Sequence, residues 1–348
     1  MTQIDRPFWS STAVTGDPLF FAETATGDAR ASLLFPPDGG VSIRDASGAV
    51  VYEQGRDFVV DAATGVVIRT PGSRMPITSQ AELYPSVDPD GSAFMFRRGA
   101  PGSYLMCGEG DLFHRRQVRA TYTHAPGLWT GFTPAFRGDA VPRTLGCLRA
   151  GEPLSIAVTG DSISEGYNAS GFVGVPPHQP PYAELVAEGL RSSYRSAIAL
   201  HNFASAGWTT DNGLADVDRV AEDVPDLVIV AYGMNDAGYA TAPEFAANIA
   251  GIMREIRRTA PAAEFVLVSP MLPNPDWHYT VTERFMEYRD ALDALTGDGA
   301  ILADLTSMWR TLLARKSFYD LTGNGINHPN DFGHRVYAEV MLALLTQS

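Results

Sequence analysis

The stretch Ile156-Ala157-Val158-Thr159-Gly160-Asp161-Ser162-Ile163 carries the clearest structural signal in the chain. An apolar run ends there in glycine, aspartate and serine, which is the pattern of a buried strand followed by a tight turn. Strands that are apolar on both faces are typical of parallel sheets covered by helices. The rest of the sequence should then supply further strands of this kind, with helices between them.

Further apolar runs do follow, at intervals that leave room for helices. Residues 245–256 place apolar side chains on one face of a helix that ends before Pro261, and residues 336–345 form a second such face. The alternation predicts an α/β domain with right-handed crossovers and a parallel sheet. The predicted strands are Leu154–Thr159, Ala199–Ala204, Asp226–Tyr232, Glu264–Ser269 and Ala300–Asp304.

The chain before about Arg149 has a different pattern, in which short apolar runs alternate with turn residues. Runs at 41–44, 50–53, 57–60, 66–69 and 117–123 are separated by clusters such as Asp45-Ala46-Ser47-Gly48. This spacing predicts a β-sandwich or a related all-β module. We therefore expect a β-rich accessory domain at 1–149 and an α/β domain at 150–348, with the boundary between about Arg143 and Pro153.

Composition narrows the class of protein. The 348 residues are 45% hydrophobic and 19% charged, as in a folded soluble protein, and 26 basic against 40 acidic residues give a net charge of −14. That charge repels phosphate backbones, so nucleic acid is not an expected partner. The residues from Met1 to Arg6 lack a leader pattern and no apolar run reaches the ~18 residues of a membrane span, so we expect a cytoplasmic location without a membrane partner.

Three short signals downstream of Ser162, around Gly207, Asn235 and His328, fit one reaction. In a parallel sheet, ligands bind beyond the carboxyl ends of the strands, where Ser162, Gly207 and Asn235 are all expected. A serine needs a base to act as a nucleophile, and the oxyanion that it creates needs hydrogen-bond donors. Each residue taken alone is equally compatible with a turn or a helix cap.

The candidate base is His328, one of seven histidines. It lies in Asn327-His328-Pro329-Asn330, just before a helical segment that begins near Phe332, and the proline restricts the backbone at the helix entry. A loop histidine is often a solvated or packing residue, but this context can hold an imidazole rigidly at the sheet edge. The four residues together indicate ester hydrolysis.

These signals resemble the SGNH hydrolases, also called the GDSL esterase/lipase family, over about residues 153–346. Gly160-Asp161-Ser162-Ile163 is similar to block I, Gly207 to block II, Gly233-Met234-Asn235-Asp236 to block III and His328-Pro329 to block V. The resemblance implies a flavodoxin-like sandwich with about five parallel strands. It also implies that Ser162 is the nucleophile, that His328 is the general base, and that Ser162 N–H, Gly207 N–H and the Asn235 side chain form the oxyanion hole.

One position departs from the family pattern. The family usually has an aspartate three residues before its histidine, and here that position is Gly325. Such an aspartate orients the imidazole and stabilises the imidazolium. Our hypothesis is a Ser162–His328 dyad in which a backbone carbonyl of Asn324 or Gly325 accepts the imidazole N–H. A carboxylate from elsewhere is the alternative, and Asp320 and Asp331 are the candidates.

The substrate is less evident from the sequence. Asn168, Trp208, Trp277 and His278 follow strands on the side of the site and are the expected substrate-binding residues, although loop packing or a turn explains each equally well. An appended β-rich domain is similar to that of several carbohydrate esterases, and this favours removal of acetyl groups from a sugar. A general arylesterase, a thioesterase, an acyltransferase and a degenerate glycan-binding module remain alternatives.

No cofactor is expected from the sequence. No group of histidine, cysteine or acidic residues has the spacing of a zinc or calcium site, so we expect no metal either. Two cysteines, Cys107 and Cys147, are too few for a disulfide framework, and they are expected to be unpaired. The expected ligand is a small-molecule or carbohydrate ester, and the sequence contains no signal for an oligomeric state.

Overall fold

The computed structural model describes residues 6–24, 27, 29–88, 91 and 95–347. Residues 1–5, which belong to the segment expected to lack a leader, lie outside the described residues. No helix within the described ranges combines the length and the apolar character needed to cross a bilayer. Cys107 and Cys147 are not joined to each other by a disulfide.

The N-terminal segment forms two antiparallel sheets of four strands each, so the prediction of a β-rich unit is confirmed. Their strand orders are β1-β8-β4-β5 and β2-β3-β7-β6. The sequence analysis did not identify the first three strands. The strands are β1 (Ala13–Phe20), β2 (Ala22–Glu23), β3 (Ala29–Ser32), β4 (Ser42–Asp45), β5 (Val51–Tyr52), β6 (Phe58–Asp61), β7 (Val66–Arg69) and β8 (Gln117–Thr123).

The first strand escaped the pattern analysis because its sequence is irregular. β1 pairs with β8 but changes register between Val14 and Asp17, where Gly16 adopts φ +67°. A bulge of this kind interrupts the alternation of apolar and polar side chains that marks a strand. Pro18 and the buried Asp17 break the alternation further.

The second segment is an α/β sandwich around a five-stranded parallel sheet, which confirms the predicted fold class. Its strand order is β10-β9-β11-β12-β13, the flavodoxin-like arrangement 2-1-3-4-5. The strands are β9 (Leu154–Gly160), β10 (Ile198–Asn202), β11 (Leu227–Ala231), β12 (Glu264–Val268) and β13 (Ala300–Ala303). Every residue of β11 and β12 is buried, as expected for strands covered on both faces.

Helices cover both faces of this sheet. The two helices expected from apolar spacing lie within α8 and α12, and α8 begins with a capping box at Thr241 and Glu244. The helices are α1 (Gln80–Leu83), α2 (Pro142–Ala150), α3 (Ser162–Glu165), α4 (Ser170–Val173), α5 (Tyr182–Tyr194), α6 (Thr210–Ala215), α7 (Val217–Ala221), α8 (Ala242–Thr259), α9 (Thr282–Asp293), α10 (Leu305–Leu313), α11 (Phe318–Leu321) and α12 (Asp331–Leu345).

The two segments are in direct contact. Buried apolar side chains from both belong to one contiguous cluster, and the expected boundary after Arg149 falls at the end of α2. The ammonium group of Lys316 is buried among β1 and β3, where it donates to Pro18 O at 2.7 Å and Ser32 O at 2.6 Å and pairs with Asp17 Oδ1 at 2.8 Å. A buried charge satisfied by partners on another segment holds the two segments in one arrangement.

Candidate active site

Ser162 is the first residue of the short helix α3, and it follows the first strand of the parallel sheet, β9, after one intervening residue. The preceding Gly160 leaves no room for a side chain, because a Cβ there would lie 2.6 Å from Ala231 O. Asp161 caps the helix by accepting the N–H of Ile163 at 3.0 Å, and burial raises the pKa of this carboxyl to about 7. The turn thus projects the Ser162 hydroxyl beyond the carboxyl end of the sheet.

The Ser162 hydroxyl contacts an imidazole. Ser162 Oγ lies 2.8 Å from His328 Nε2, and both side chains are buried. Asn324 holds the loop that carries the imidazole, because its Oδ1 accepts the N–H groups of Ile326, Asn327 and His328, each at 3.0 Å. Three donors on one oxygen give the loop little freedom, so the ring direction is set before any ligand arrives.

The other ring nitrogen of His328 contacts two side chains that the sequence analysis did not assign to it. Nδ1 lies 2.9 Å from Asn168 Oδ1 and 3.2 Å from Glu109 Oε2. The expected backbone acceptors are engaged elsewhere: Asn324 O accepts the N–H of Gly108 at 3.1 Å, and Gly325 O accepts Asn274 Nδ2 at 2.8 Å. The hypothesis of a backbone carbonyl behind the imidazole was therefore wrong.

The two carboxylates considered as alternatives do not contact the imidazole either. Asp320 accepts the N–H of Phe20 at 2.7 Å and that of Ser317 at 2.9 Å, so it fastens β1 to α11. Asp331 accepts the N–H of Ser170 at 2.7 Å. Both residues satisfy backbone groups and have structural roles.

Packing explains why Gly325 stands where the family has an aspartate. This glycine has φ +89°, and a Cβ on it would lie 2.4 Å from Met106 O and 2.6 Å from the Phe113 ring. The N-terminal segment thus fills the space that the aspartate side chain would need. Glu109 belongs to the same segment, which supplies a carboxylate to the imidazole.

The environment of Glu109 favours its ionised form. Partial burial raises the pKa of this carboxyl, but hydrogen bonds and the charge of the imidazole outweigh the burial, and the net pKa lies below the ordinary value. Its other oxygen, Oε1, accepts Asn324 Nδ2 at 3.0 Å. The carboxylate therefore contacts both the ring of His328 and the asparagine that holds the His328 loop. Its side chain is 50% exposed, so solvent screens part of this interaction.

Asn168, which we expected to bind substrate, lies behind the imidazole. Its Nδ2 donates to Gly110 O and Gly323 O, each at 3.2 Å, so the amide oxygen points to His328 Nδ1 and must accept from it. The ring therefore carries its proton on Nδ1 and presents a lone pair on Nε2 to Ser162. Gly323 allows this close approach, because a Cβ there would lie 2.3 Å from Asn168 Cβ.

The expected oxyanion donors lie at the start of α3 and on the loops that follow the two strands flanking β9. The backbone N–H groups of Ser162 and Gly207 donate to no other group within the described ranges. Asn235 Nδ2 donates to Trp208 O at 2.9 Å, which ties the two loops together. The buried carboxylate of Asp236 fastens its own loop by accepting the N–H of Gly233 at 3.1 Å and of Thr210 at 2.8 Å.

The three rings expected to border the substrate differ in exposure. Trp277 is 6% exposed and packs against Leu105 and Ile326, so it is a core residue, and the expectation that it forms a substrate wall was wrong. His278 is exposed and Trp208 is half-buried. Of the three expected rings, those of His278 and Trp208 are accessible to a ligand.

Two further aromatic residues near the imidazole were not identified from the sequence. The Tyr167 ring lies 5.3 Å from that of His328 in an edge-to-face arrangement, and the Phe172 ring lies 5.0 Å from that of Tyr167. Phe172 is 45% exposed. Neither aromatic residue nor Glu109 belongs to a recognisable motif, so only the folded chain identifies them.

A serine at the end of the first strand of a 2-1-3-4-5 parallel sheet defines an SGNH-type fold, a class of carboxylic ester hydrolases. The family model described as GDSL-like lipase/acylhydrolase matches residues 158–336, half of the chain, and the chain belongs to that family. The comparison with curated proteins finds no match.

Solved structures with a similar fold include a two-domain esterase active on acetylated mannans, at 21% identity and a TM-score of 0.48, with 61% of this chain and 54% of that chain covered. An acetyl-xylooligosaccharide esterase from Geobacillus matches at 19% identity and a TM-score of 0.47, and the match covers 56% of this chain and 95% of that chain. A lipase from a goat rumen metagenome matches at 15% identity and a TM-score of 0.45, and the match covers 55% of this chain and 96% of that chain. This chain thus spans about half the length of the two-domain esterase.

Proposed function

We propose that this chain hydrolyses short-chain carboxylic esters and that its substrates are O-acetyl groups on a carbohydrate. The observation that carries the proposal is the 2.8 Å contact between Ser162 Oγ and His328 Nε2. Geometry of this kind lets the imidazole take the hydroxyl proton as the serine attacks an acyl carbon.

The proposed reaction has two halves. In the first, Ser162 attacks the ester carbonyl, His328 takes the serine proton, and the same proton then passes to the leaving sugar oxygen. In the second, water attacks the acyl-serine while His328 takes a water proton, the bond from the acyl carbon to Ser162 Oγ breaks, His328 returns the proton to Ser162 Oγ, and acetate leaves. The Ser162 N–H, the Gly207 N–H and the Asn235 amide donate to the oxyanion in both halves.

Glu109 and Asn168 are positioning residues in this proposal, because they act through His328. The Asn168 oxygen selects the tautomer with the proton on Nδ1, as its own amide hydrogens are committed to two carbonyls. The Glu109 carboxylate adds a negative charge 3.2 Å from Nδ1, which stabilises the imidazolium formed after proton transfer. Together they perform the task of the usual family aspartate.

Exposure of the loops supports a short acyl group and a sugar. Gly207 is exposed and Asn235 is half-buried, so an ester oxygen that contacts both lies near the surface, at a depth that suits acetate. Phe172, 45% exposed, packs on Tyr167 next to His328, and Tyr239, 87% exposed, follows the turn after Asn235, so both offer apolar ring faces. A sugar, with apolar ring faces and polar hydroxyl edges, complements such a border.

The proposal is tested by turnover of p-nitrophenyl acetate, butyrate and octanoate, followed by acetylated xylo- and manno-oligosaccharides. We expect turnover that decreases with acyl length, and a loss of kcat of roughly 10⁴-fold or more in Ser162→Ala and in His328→Ala. Ser192→Ala, an exposed serine on α5, is the matched control and should keep the wild-type rate.

Each alternative activity gives a distinct result. Turnover of aryl or thioester substrates without release of acetate from sugars indicates a general esterase or thioesterase. Transfer of the acetyl group to an added sugar, in preference to water, indicates an acyltransferase. Absence of both burst and turnover, with sugar binding retained, indicates a binding module and rejects the proposal.

A further inference from the structure

A cavity with several positive charges lies between the N-terminal sheet and the start of α12. Its volume is about 310 Å³, near the lower end of small-ligand sites. The guanidinium groups of Arg44, Arg119 and Arg335 contribute to its lining, and we call it the arginine cavity. Neither Ser162 nor His328 lines it, so the arginine cavity is separate from the candidate active site.

The sheet register places two of these cations side by side. Arg44 on β4 is directly opposite Arg119 on β8, and Ser42 is opposite Thr121 on the same face. Like charges in directly opposed positions destabilise a strand pair. The other face of these strands is apolar and buried, so the sheet itself directs both arginines toward the cavity.

The arginines have no ion-pair partner among the described residues. Arg44 donates to Gly48 O at 3.1 Å and Arg335 donates to Thr15 O at 2.8 Å, while Arg119 makes no hydrogen bond with the described part of the chain. Burial lowers the pKa of Arg119, because the guanidinium loses part of its hydration in the cavity.

Acidic groups nearby do not neutralise the cavity. Asp331 also contributes to the lining, but it uses one oxygen to accept Ser170 N–H at 2.7 Å, and its other oxygen is buried without a partner. Asp331 and, more weakly, Asp45 attract Arg119 through space, and neither forms an ion pair with it among the described residues, while Arg335 and Arg44 repel it. Three guanidiniums against one lining carboxylate leave a positive site in a chain of net charge −14.

The rest of the lining suits a hydroxylated ring. Ser42 and Thr121 contribute hydroxyl groups, and Phe332, Pro177 and Ala46 contribute apolar surface. We propose that the arginine cavity binds an anionic sugar unit, whose carboxylate or phosphate pairs with Arg44 and Arg119 while its ring lies against the apolar surface. Binding at the arginine cavity does not depend on the proposed ester hydrolysis.

Calorimetric titration of the full chain carrying Ser162→Ala tests the site without any turnover. Glucuronate and glucose 6-phosphate are the probes, and glucose and inorganic phosphate are the comparison ligands. We expect saturable binding of at least one sugar anion, with glucose and inorganic phosphate at least tenfold weaker. The two probes distinguish a carboxylate from a phosphate as the anionic group.

The same titration with Arg119→Gln is expected to weaken binding of the sugar anion roughly tenfold or more, because a charge-assisted contact is lost. Arg254→Gln on the exposed face of α8 removes the same charge elsewhere and should leave the dissociation constant unchanged. Thermal unfolding of both variants shows whether they are folded, and Arg44→Gln replaces Arg119→Gln if the latter is not.

Three results would overturn the inference. The first is the absence of saturable binding by either sugar anion, and the second is equal binding of glucose, which would remove the role of the charge. The third is inorganic phosphate binding as tightly as the sugar anions, which would indicate a simple anion site.

Discussion

Glu109 Oε2 lies 3.2 Å from His328 Nδ1, although 219 positions separate the two residues in the chain. The carboxylate comes from the N-terminal segment and the imidazole from the last loop of the α/β fold. The proposed catalytic machinery is therefore assembled from both segments. The N-terminal segment also excludes the usual family aspartate, because Met106 O and the Phe113 ring occupy its place.

Removal of the Glu109 charge should slow the reaction while leaving substrate binding largely intact. We expect Glu109→Gln to lower kcat for p-nitrophenyl acetate by roughly 10- to 100-fold, less than the ~10⁴-fold known for loss of a triad aspartate, because Asn168 still accepts from Nδ1. KM should change little. Asp111→Asn, which removes a half-buried acid of the same segment that pairs with Arg115 and not with His328, is the matched control. A kcat for Glu109→Gln equal to that of the control would remove the positioning role.

The side-chain amide of Asn235 is expected to act only in the transition state. Asn235→Ala should lower kcat by roughly 100- to 1,000-fold with a small change in KM, as is typical for loss of one oxyanion donor. Steady-state kinetics give both constants, and the thermal unfolding midpoint shows whether the tie to Trp208 O matters for stability. A variant with normal kcat would exclude Asn235 from the oxyanion hole.

Restoring the family aspartate at position 325 should destabilise the protein rather than improve it. Gly325→Asp introduces a Cβ 2.4 Å from Met106 O at a backbone φ of +89°. Gly55→Asp is a close control, since Gly55 has φ +88° and no atom lies within 4 Å of the place that its Cβ would take. We expect a loss of several kcal/mol in unfolding free energy at 325 against about 1 kcal/mol at 55. Similar losses at both sites would show that backbone strain, not collision, governs position 325.

The buried His334 should make stability depend on pH. Its Nδ1 accepts Tyr182 N–H at 3.3 Å and its Nε2 donates to Tyr167 O at 3.0 Å, and burial lowers its pKa from 6.5 to about 4. As pH falls from 6.5 to about 4, the unfolded chain gains a proton that the folded chain does not, so the unfolding free energy decreases in that window. Below about pH 4 the contribution of His334 to the unfolding free energy no longer changes.

Urea unfolding at pH 7.5 and pH 4.5 measures this effect. Between these pH values the unfolding free energy of the wild type should decrease by roughly 2–3 kcal/mol more than that of His334→Gln. The glutamine side chain can form both hydrogen bonds but does not titrate. Buried carboxyls with raised pKa, such as Asp161 at about 7, act in the opposite direction, and the comparison with the variant cancels them. Equal losses in the two proteins would contradict a neutral buried imidazole.

Several elements of the fold were predictable because their signals are local. The apolar runs that became β9 to β13, the helix faces of α8 and α12, and the turn after Gly160 follow from the side chains of consecutive residues. The pairing of β1 with β8 was not predictable, since the bulge at Gly16 and the buried Asp17 hide the strand pattern. Trp277 shows a similar limit, because its burial depends on Leu105 from the other segment.

Sequence patterns alone were enough to predict the α/β class, the alternation of strands and helices along the chain, and Ser162, Gly207, Asn235 and His328 as one candidate site. Those properties depend on periodicity and on short motifs at strand ends, which a chain carries before it folds. Which groups contact His328 Nδ1 became visible only in the folded chain. Asn168 and Glu109 approach the imidazole from distant parts of the chain, and their contacts depend on packing between segments that no local pattern encodes.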